Sequence, residues 1–174
     1  MEKKLIVVTG GTKSGKSNFA VKIAQGLGNR VVFLATCIPQ DEEMKKRVAL
    51  HQKSRPPHWE TVEEGENLVS VLREVKNSSQ VVIIDCLTLF ISNLLVSGKT
   101  GREIRDEVEK TAKEALVAPY HVIIVTNEVG SGLVPENQLG RRFRDIAGEA
   151  NQIVAGYAHE VYLMVSGIPL KIKG

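Results

Sequence analysis

Leu5-Ile6-Val7-Val8-Thr9-Gly10-Gly11-Thr12-Lys13-Ser14-Gly15-Lys16-Ser17 decides the fold of this chain. The apolar run Leu5–Val8 does not alternate with polar residues, so it reads as a strand buried on both faces. Gly10 to Ser17 then matches Gly-x-x-x-x-Gly-Lys-Ser at every fixed position, and the run from Ser17 to Leu27 reads as a helix closed by Gly28. Strand, glycine-rich turn and helix in that order form a phosphate-binding P-loop. Gly10, Gly11 and Gly15 let the backbone N–H groups around Thr12, Lys13 and Ser14 turn towards phosphate oxygens. Lys16 reaches the outer phosphates, the Ser17 hydroxyl suits Mg²⁺, and the helix adds the positive end of its dipole.

Outward from this motif, apolar runs alternate with amphipathic stretches. Val31–Ala35, Val81–Ile84, His121–Val125 and Val161–Val165 read as strands. Asp41–Gln52, Asn67–Val75, Leu87–Val96, Gly101–Val117 and Arg141–Tyr157 read as helices, with Ser131–Gly140 as the most loop-like stretch. Leu170–Ile172 is expected to pair back as an edge hairpin after the turn at Ser166–Pro169. Strands separated by helices imply crossover connections, hence an α/β fold with a mainly parallel sheet covered on both faces. At 174 residues, with no linker or repeat, a single domain is expected over 1–174.

Composition narrows the function. Apolar residues make up 43% and charged residues 25%, as in an ordinary globular protein. No apolar stretch approaches the ~20 residues of a membrane span, and no leader pattern is seen, so a cytosolic protein is expected. The net charge of +3 suits anionic small substrates. Lys45-Lys46-Arg47 and Arg141-Arg142 are short, and with 5% aromatics they lack the interleaved rings of a nucleic-acid surface. Cys37 and Cys86 have no metal spacing and both read as buried small hydrophobes.

Two further positions carry chemistry. Asp85 ends an apolar strand, where an acid would hold Mg²⁺ through water. The same strand-end edge gathers Thr36, Thr126, Asn127 and Glu128. His51 lies near Arg47, Lys53 and Arg55, which could meet phosphate, and a neutral imidazole with a reference pKa of about 6.5 can attack phosphorus near pH 7. His58 sits in an expected turn beside Pro57 and Trp59. His121 and His159, at a strand start and a helix end, read as structural. These residues leave open a P-loop kinase of another small molecule, a RecA-like nucleic-acid ATPase, and a nucleotide-binding regulator.

The chain resembles the bifunctional adenosylcobinamide kinase / adenosylcobinamide-phosphate guanylyltransferase family of cobalamin biosynthesis. The resemblance rests on Val8–Ser17, Ala35-Thr36, Asp41–Arg47, and His51 with Arg55-Pro56-Pro57-His58-Trp59. Asp85–Thr88, Thr126–Gly130, Val134–Asn137, Phe143–Gly148 with Asn151, and Val165-Ser166-Gly167 extend it. It implies a RecA-like P-loop fold, a homotrimer and two reactions. One phosphorylates adenosylcobinamide from ATP or GTP. The other passes GMP from GTP, through a histidine, to adenosylcobinamide phosphate. His51 matches the guanylylated histidine. Thr36, Cys37, Ile38, Gln52, Lys53, Ser54, Arg55, Glu63 and Asp85 match positions that hold guanine nucleotide. Two departures stand out: Leu50 replaces a second histidine of some relatives, and Asp85 stands where some carry Glu.

Overall fold

The computed structural model describes residues 2–39, 42 and 55–174. The helix expected over Asp41–Gln52 lies, apart from Glu42, outside the described residues. So do His51, Gln52, Lys53 and Ser54.

The elements run β1 (Leu5–Gly10), α1 (Lys16–Leu27), β2 (Val31–Ala35), β3 (Glu60–Glu63) and α2 (Leu68–Glu74). After a short 3₁₀ turn come β4 (Val81–Asp85), α3 (Leu87–Val96), α4 (Gly101–Val117), β5 (His121–Val125), α5 (Gln138–Tyr157), β6 (Glu160–Val165) and β7 (Ile168–Lys173). The seven strands form one sheet in the order β3-β2-β4-β5-β1-β6-β7. All neighbours are parallel except β6 and β7, which make the expected antiparallel edge hairpin.

The continuous apolar runs are explained by the two cores. Leu5, Val7, Leu34, Val82, Ile84, Val122 and Ile124 face one side, against Leu68, Phe90, Ile104, Val108, Ala150 and Val154 of α2 to α5. Ile6, Val8, Phe33, Ile83, Ile123 and Val125 face the other, against Ala20 and Ala24 of α1 and against Trp59. Successive strand residues point to opposite faces, so a strand covered on both sides is apolar along its length and carries polar residues, such as His121 and Asp85, only at its ends. Ile83 is fully buried, and Ile83→Ala would cost about 2–5 kcal/mol.

Three boundaries differ from the sequence reading. β3, Glu-Thr-Val-Glu, carries one apolar residue and shows no strand signal; pairing with β2 along Val32–Ala35 makes it a strand. α5 starts at Gln138, three residues earlier than expected, because the Asn137 side chain accepts the Gly140 N–H and caps it. β7 extends from Ile168 to Lys173 and tolerates Pro169 because it is an edge strand.

β1 to β6 end on the same edge. The chain passes over β1 on its way from β5 to β6, and ligands bind at such switch points in open parallel sheets. Register sets Ala35 between Glu63 and Asp85, and Asp85 beside Val125.

Candidate phosphate-binding site

The loop leaving β1 is shaped by its glycines. Gly10 has φ 150°, and a Cβ there would stand 2.6 Å from the Met164 carbonyl oxygen of β6, so only glycine fits. Gly15, at φ 95°, caps α1 without any side-chain hydrogen bond, and Lys13 adopts φ 58°. The first turn of α1 therefore lacks the side-chain acceptor that usually satisfies its N–H groups, which leaves it suited to an anion. The loop is clamped from outside: Glu128 N–H donates to the Gly10 carbonyl (2.9 Å), and Gly167 N–H donates to the Ser14 carbonyl (3.0 Å).

Within the loop, Lys16 is buried and its Nζ donates to the Gly11 carbonyl at 2.6 Å. Burial pushes the Lys16 ammonium below the usual lysine range, against the opposing fields of Cys86 and Asp85. Ser14 Oγ is buried and has no hydrogen-bond partner among the described residues. A cationic amine resting on a carbonyl and an orphaned hydroxyl both gain if phosphate oxygens enter.

The cavity beside this loop has a volume of about 670 Å³. Thr12 to Ser17 line it together with Asn18, Asp85, Cys86, Val125 and Asn127. The fold thus brings Lys16, Ser17 and Asp85, three residues singled out in the sequence, into one hollow. Ser17 and Asp85 offer a hydroxyl and a carboxylate, hard oxygen donors of the type Mg²⁺ prefers. Asn127 belongs to the strand-end edge that the sequence picks out, although no role is assigned to it there; Asn18 is not expected, because nothing in the sequence separates it from other polar residues after a helix start.

The positions matched to guanine nucleotide divide in two. Arg55 lies with its guanidinium 3.4 Å from the centroid of the Phe33 ring, and its Nη1 is 3.5 Å from Thr61 Oγ1. Burial lowers the Arg55 pKa, while the fields of Asp85 and Glu63 oppose that shift. Cys37 is half-buried rather than buried, because it lies in the loop beyond β2. Burial, then Asp85 and Glu63, push its thiol up. Cys37, Arg55, Glu63 and Asp85 are therefore one electrostatic group at the ends of β2, β3 and β4. Burial and Asp85 push the Cys86 thiol up to about 12, so neither cysteine is a thiolate at neutral pH.

Thr36 and Ile38 are placed differently. Thr36 is fully buried; its Oγ1 donates to the Cys86 carbonyl (2.7 Å) and accepts the Cys86 N–H (2.7 Å), while its carbonyl accepts Asn93 Nδ2 (2.9 Å). Its side chain braces the ends of β2 and β4. Ile38 lines a separate hollow of about 410 Å³ with Glu66, Leu89, Asn93 and Val96. His121 and His159 are structural, as read: their Nδ1 atoms accept the N–H groups of Lys4 (3.2 Å) and Leu5 (2.9 Å) at the far edge of the sheet.

Residues 6–172 match the cobinamide kinase / cobinamide phosphate guanyltransferase family. The chain belongs to that family. The bifunctional adenosylcobalamin biosynthesis protein CobU of Escherichia coli (strain K12) is 42% identical, over 97% of this chain and 99% of that protein. The protein of the same name from Salmonella typhimurium is 39% identical over the same shares. The bifunctional adenosylcobalamin biosynthesis protein CobP of Pseudomonas aeruginosa is 37% identical over 97% of this chain and 96% of its own length. Among solved structures, an ATPase from the type III secretion system of pathogenic bacteria superposes with a TM-score of 0.59 at 14% identity. It covers 93% of this chain, which spans 51% of that ATPase's length. That likeness concerns the fold alone. Among the described residues, no helix is long and apolar enough to cross a membrane.

Proposed function

We propose that both reactions of this cobalamin-biosynthesis family, phosphorylation of adenosylcobinamide and guanylyl transfer to adenosylcobinamide phosphate, run at the cleft between the Gly10–Ser17 loop and Asp85. The observation that carries this is the single cavity lined by the loop, Lys16, Ser17 and Asp85 at the uncapped end of α1. In the kinase reaction the loop and Lys16 hold the triphosphate of ATP or GTP while the substrate hydroxyl attacks the terminal phosphorus. The bond from that phosphorus to the bridging oxygen breaks and the nucleoside diphosphate leaves. Such transfers rest on positioning and charge neutralisation, which these groups supply. Ser17 directly and Asp85 through water would hold Mg²⁺, which neutralises phosphate oxygens when bound.

In the second reaction the lone pair of the His51 imidazole attacks the α-phosphorus of GTP. A P–N bond forms, the bond to the bridging oxygen breaks, and pyrophosphate leaves with the electron pair. A phosphate oxygen of adenosylcobinamide phosphate then displaces the imidazole, giving adenosylcobinamide-GDP and restoring His51. Three considerations support this role. By the resemblance given above, His51 corresponds to the family's guanylylated histidine. Neither cysteine is an available thiolate. Arg55, four positions further on, lies within the field of Asp85, and four residues of chain reach at most about 14 Å. Gln52, Lys53, Ser54, Arg55 and Glu63 belong in this reading to the nucleotide site, with Cys37 at its rim, while Ile38 faces the separate hollow beside α3. The enzyme would work in the cytosol as a homotrimer, which sedimentation tests.

Incubation with GTP labelled at the α-phosphorus with ³²P, in Mg²⁺, is expected to label the protein with an acid-labile adduct, and His51→Ala to abolish the label. An equally labelled His51→Ala protein would remove His51 from the mechanism. An unlabelled wild type would remove the covalent step.

A further inference from the structure

Asn127 has no role in the reading above, yet it lines the cavity beside Lys16, Ser17 and Asp85. β5 lies between β1, which carries the P-loop, and β4, which carries Asp85. Asn127 follows β5 by two residues and so stands between the two.

Its backbone is held from several sides. The Asn127 N–H donates to Thr88 Oγ1 of α3 (2.8 Å), and its carbonyl accepts Asn151 Nδ2 of α5 (3.1 Å). Those two anchors meet at Thr126: its Oγ1 donates to Asn151 Oδ1 (2.7 Å) and is 3.3 Å from Thr88 Oγ1. Thr88 and Thr126 are buried. On either side, Thr126 N–H donates to the Val8 carbonyl (3.0 Å) and Glu128 N–H to the Gly10 carbonyl (2.9 Å). The position is thus locked to β1, α3 and α5 at once.

The carboxamide of Asn127 differs. It has no hydrogen-bond partner among the described residues, and it is half-buried against the cavity. A polar side chain left without a protein partner, on a backbone fixed by a buried network, is a preorganised donor. Its Nδ2 hydrogens can donate to an anionic oxygen without adding charge to the site.

We propose that Asn127 donates a hydrogen bond to the outer phosphates of the bound triphosphate, with Thr88, Thr126 and Asn151 as positioning residues that hold it there. This rests on the assignment of the cavity to the triphosphate. A hydrogen bond to a charged group is worth about 10- to 100-fold in affinity. Because the contact is to the outer phosphates, GMP does not make it.

The test is calorimetric titration, in Mg²⁺, with α,β-methylene-GTP, whose carbon bridge blocks transfer of GMP, and separately with GMP. Asn127→Ala is expected to weaken the analogue by about 10- to 100-fold and to leave GMP within twofold of wild type. Asn127→Asp, which puts a carboxylate against phosphate, is expected to weaken the analogue further still. Since the carboxamide makes no internal hydrogen bond, Tm should move by less than ~2 °C in Asn127→Ala. Lys16→Ala separates the two levels of the argument. If Lys16→Ala weakens the analogue and Asn127→Ala does not, the Asn127 contact is wrong and the cavity assignment stands. If neither variant weakens it, the cavity assignment fails and the contact with it. Equal weakening of GMP and the analogue by Asn127→Ala would also overturn the proposal.

Discussion

At the amino-terminal edge of the sheet, the polar groups find partners inside the protein. The backbone N–H groups of Lys4 and Leu5 donate to His121 and His159. Gln80 Oε1 accepts the N–H groups of Asn29 (3.0 Å) and Arg30 (3.2 Å). The Glu160 carboxylate takes the Lys4 ammonium and the Tyr162 hydroxyl (2.7 Å). At the carboxyl edge the same sheet carries an uncapped helix, an orphaned Ser14 hydroxyl, a lysine resting on a carbonyl and an Asn127 amide without a partner among the described residues. Buried polar groups cost free energy when left unpaired, so an edge that concentrates them is one arranged for a ligand. On the proposed reading, one edge contributes stability and the other binding. Variants should therefore separate the two properties according to the edge they touch.

The largest effect is expected at the carboxyl edge. Lys16→Ala should lower the rate of both transfers by at least ~100-fold, since it removes the cation proposed to neutralise the outer phosphates. Its Tm should stay level or rise slightly, because a desolvated ammonium is relieved. Steady-state rates beside a thermal melt check this; a variant that melts much lower but retains its rate would erase the contrast between the edges.

Thr36→Val comes next and tests where the edges meet the core. The substitution keeps the shape and strips two hydrogen bonds from the Cys86 backbone, leaving its buried N–H unpaired while its carbonyl keeps the Phe90 N–H (3.2 Å). A loss of about 1–3 kcal/mol in urea unfolding is expected. Activity should fall with it, because Asp85 is the neighbour of Cys86. If stability is unchanged, the bracing role of Thr36 is wrong.

The smallest effect is expected at the amino-terminal edge. Hydrogen bonds from Lys4 and Tyr162 hold the Glu160 carboxyl at about 2, with burial opposing and the charges of Lys4 and Lys171 assisting. An unfolded glutamate titrates near 4.3, roughly. Its folded pKa is depressed, so the stabilisation is fully present above about pH 4.3 and is lost as pH falls towards 2. Because Lys4 is 43% exposed, solvent screening limits the gain to about 1 kcal/mol. Glu160→Gln should lose that amount at pH 7, flatten the fall in stability between pH 4 and 2, and leave nucleotide binding unaltered. A nucleotide-binding defect in Glu160→Gln would show that the two edges are not independent.

Much of this contrast is legible in the sequence. β1, β2, β4 and β5 show as apolar runs because both their faces are covered; β6 shows as one too, although Leu163 is only half-buried and Val165 is exposed. The P-loop shows because glycine spacing is dictated by backbone geometry at Gly10 and Gly15. β3 is invisible because its strand character comes from pairing with β2 rather than from Glu60–Glu63 themselves. The start of α5 was hidden because Asn137 caps a first turn whose Leu139 is exposed and joins no apolar stripe. At the site, Lys16, Ser17 and Asp85 were readable from motif and strand end. The sequence does not reveal that Thr36 braces the backbone while Asn127 faces the cavity, since both are small polar residues following strands. Only the partners of each side chain distinguish them.

The most direct test of the central claim, that the carboxyl edge is the triphosphate site, is a crystal structure with α,β-methylene-GTP and Mg²⁺. The triphosphate is expected inside the Gly10–Ser17 loop, with Lys16 Nζ moved from the Gly11 carbonyl onto phosphate oxygens. A nucleotide seated elsewhere, with Lys16 still on Gly11, would contradict it.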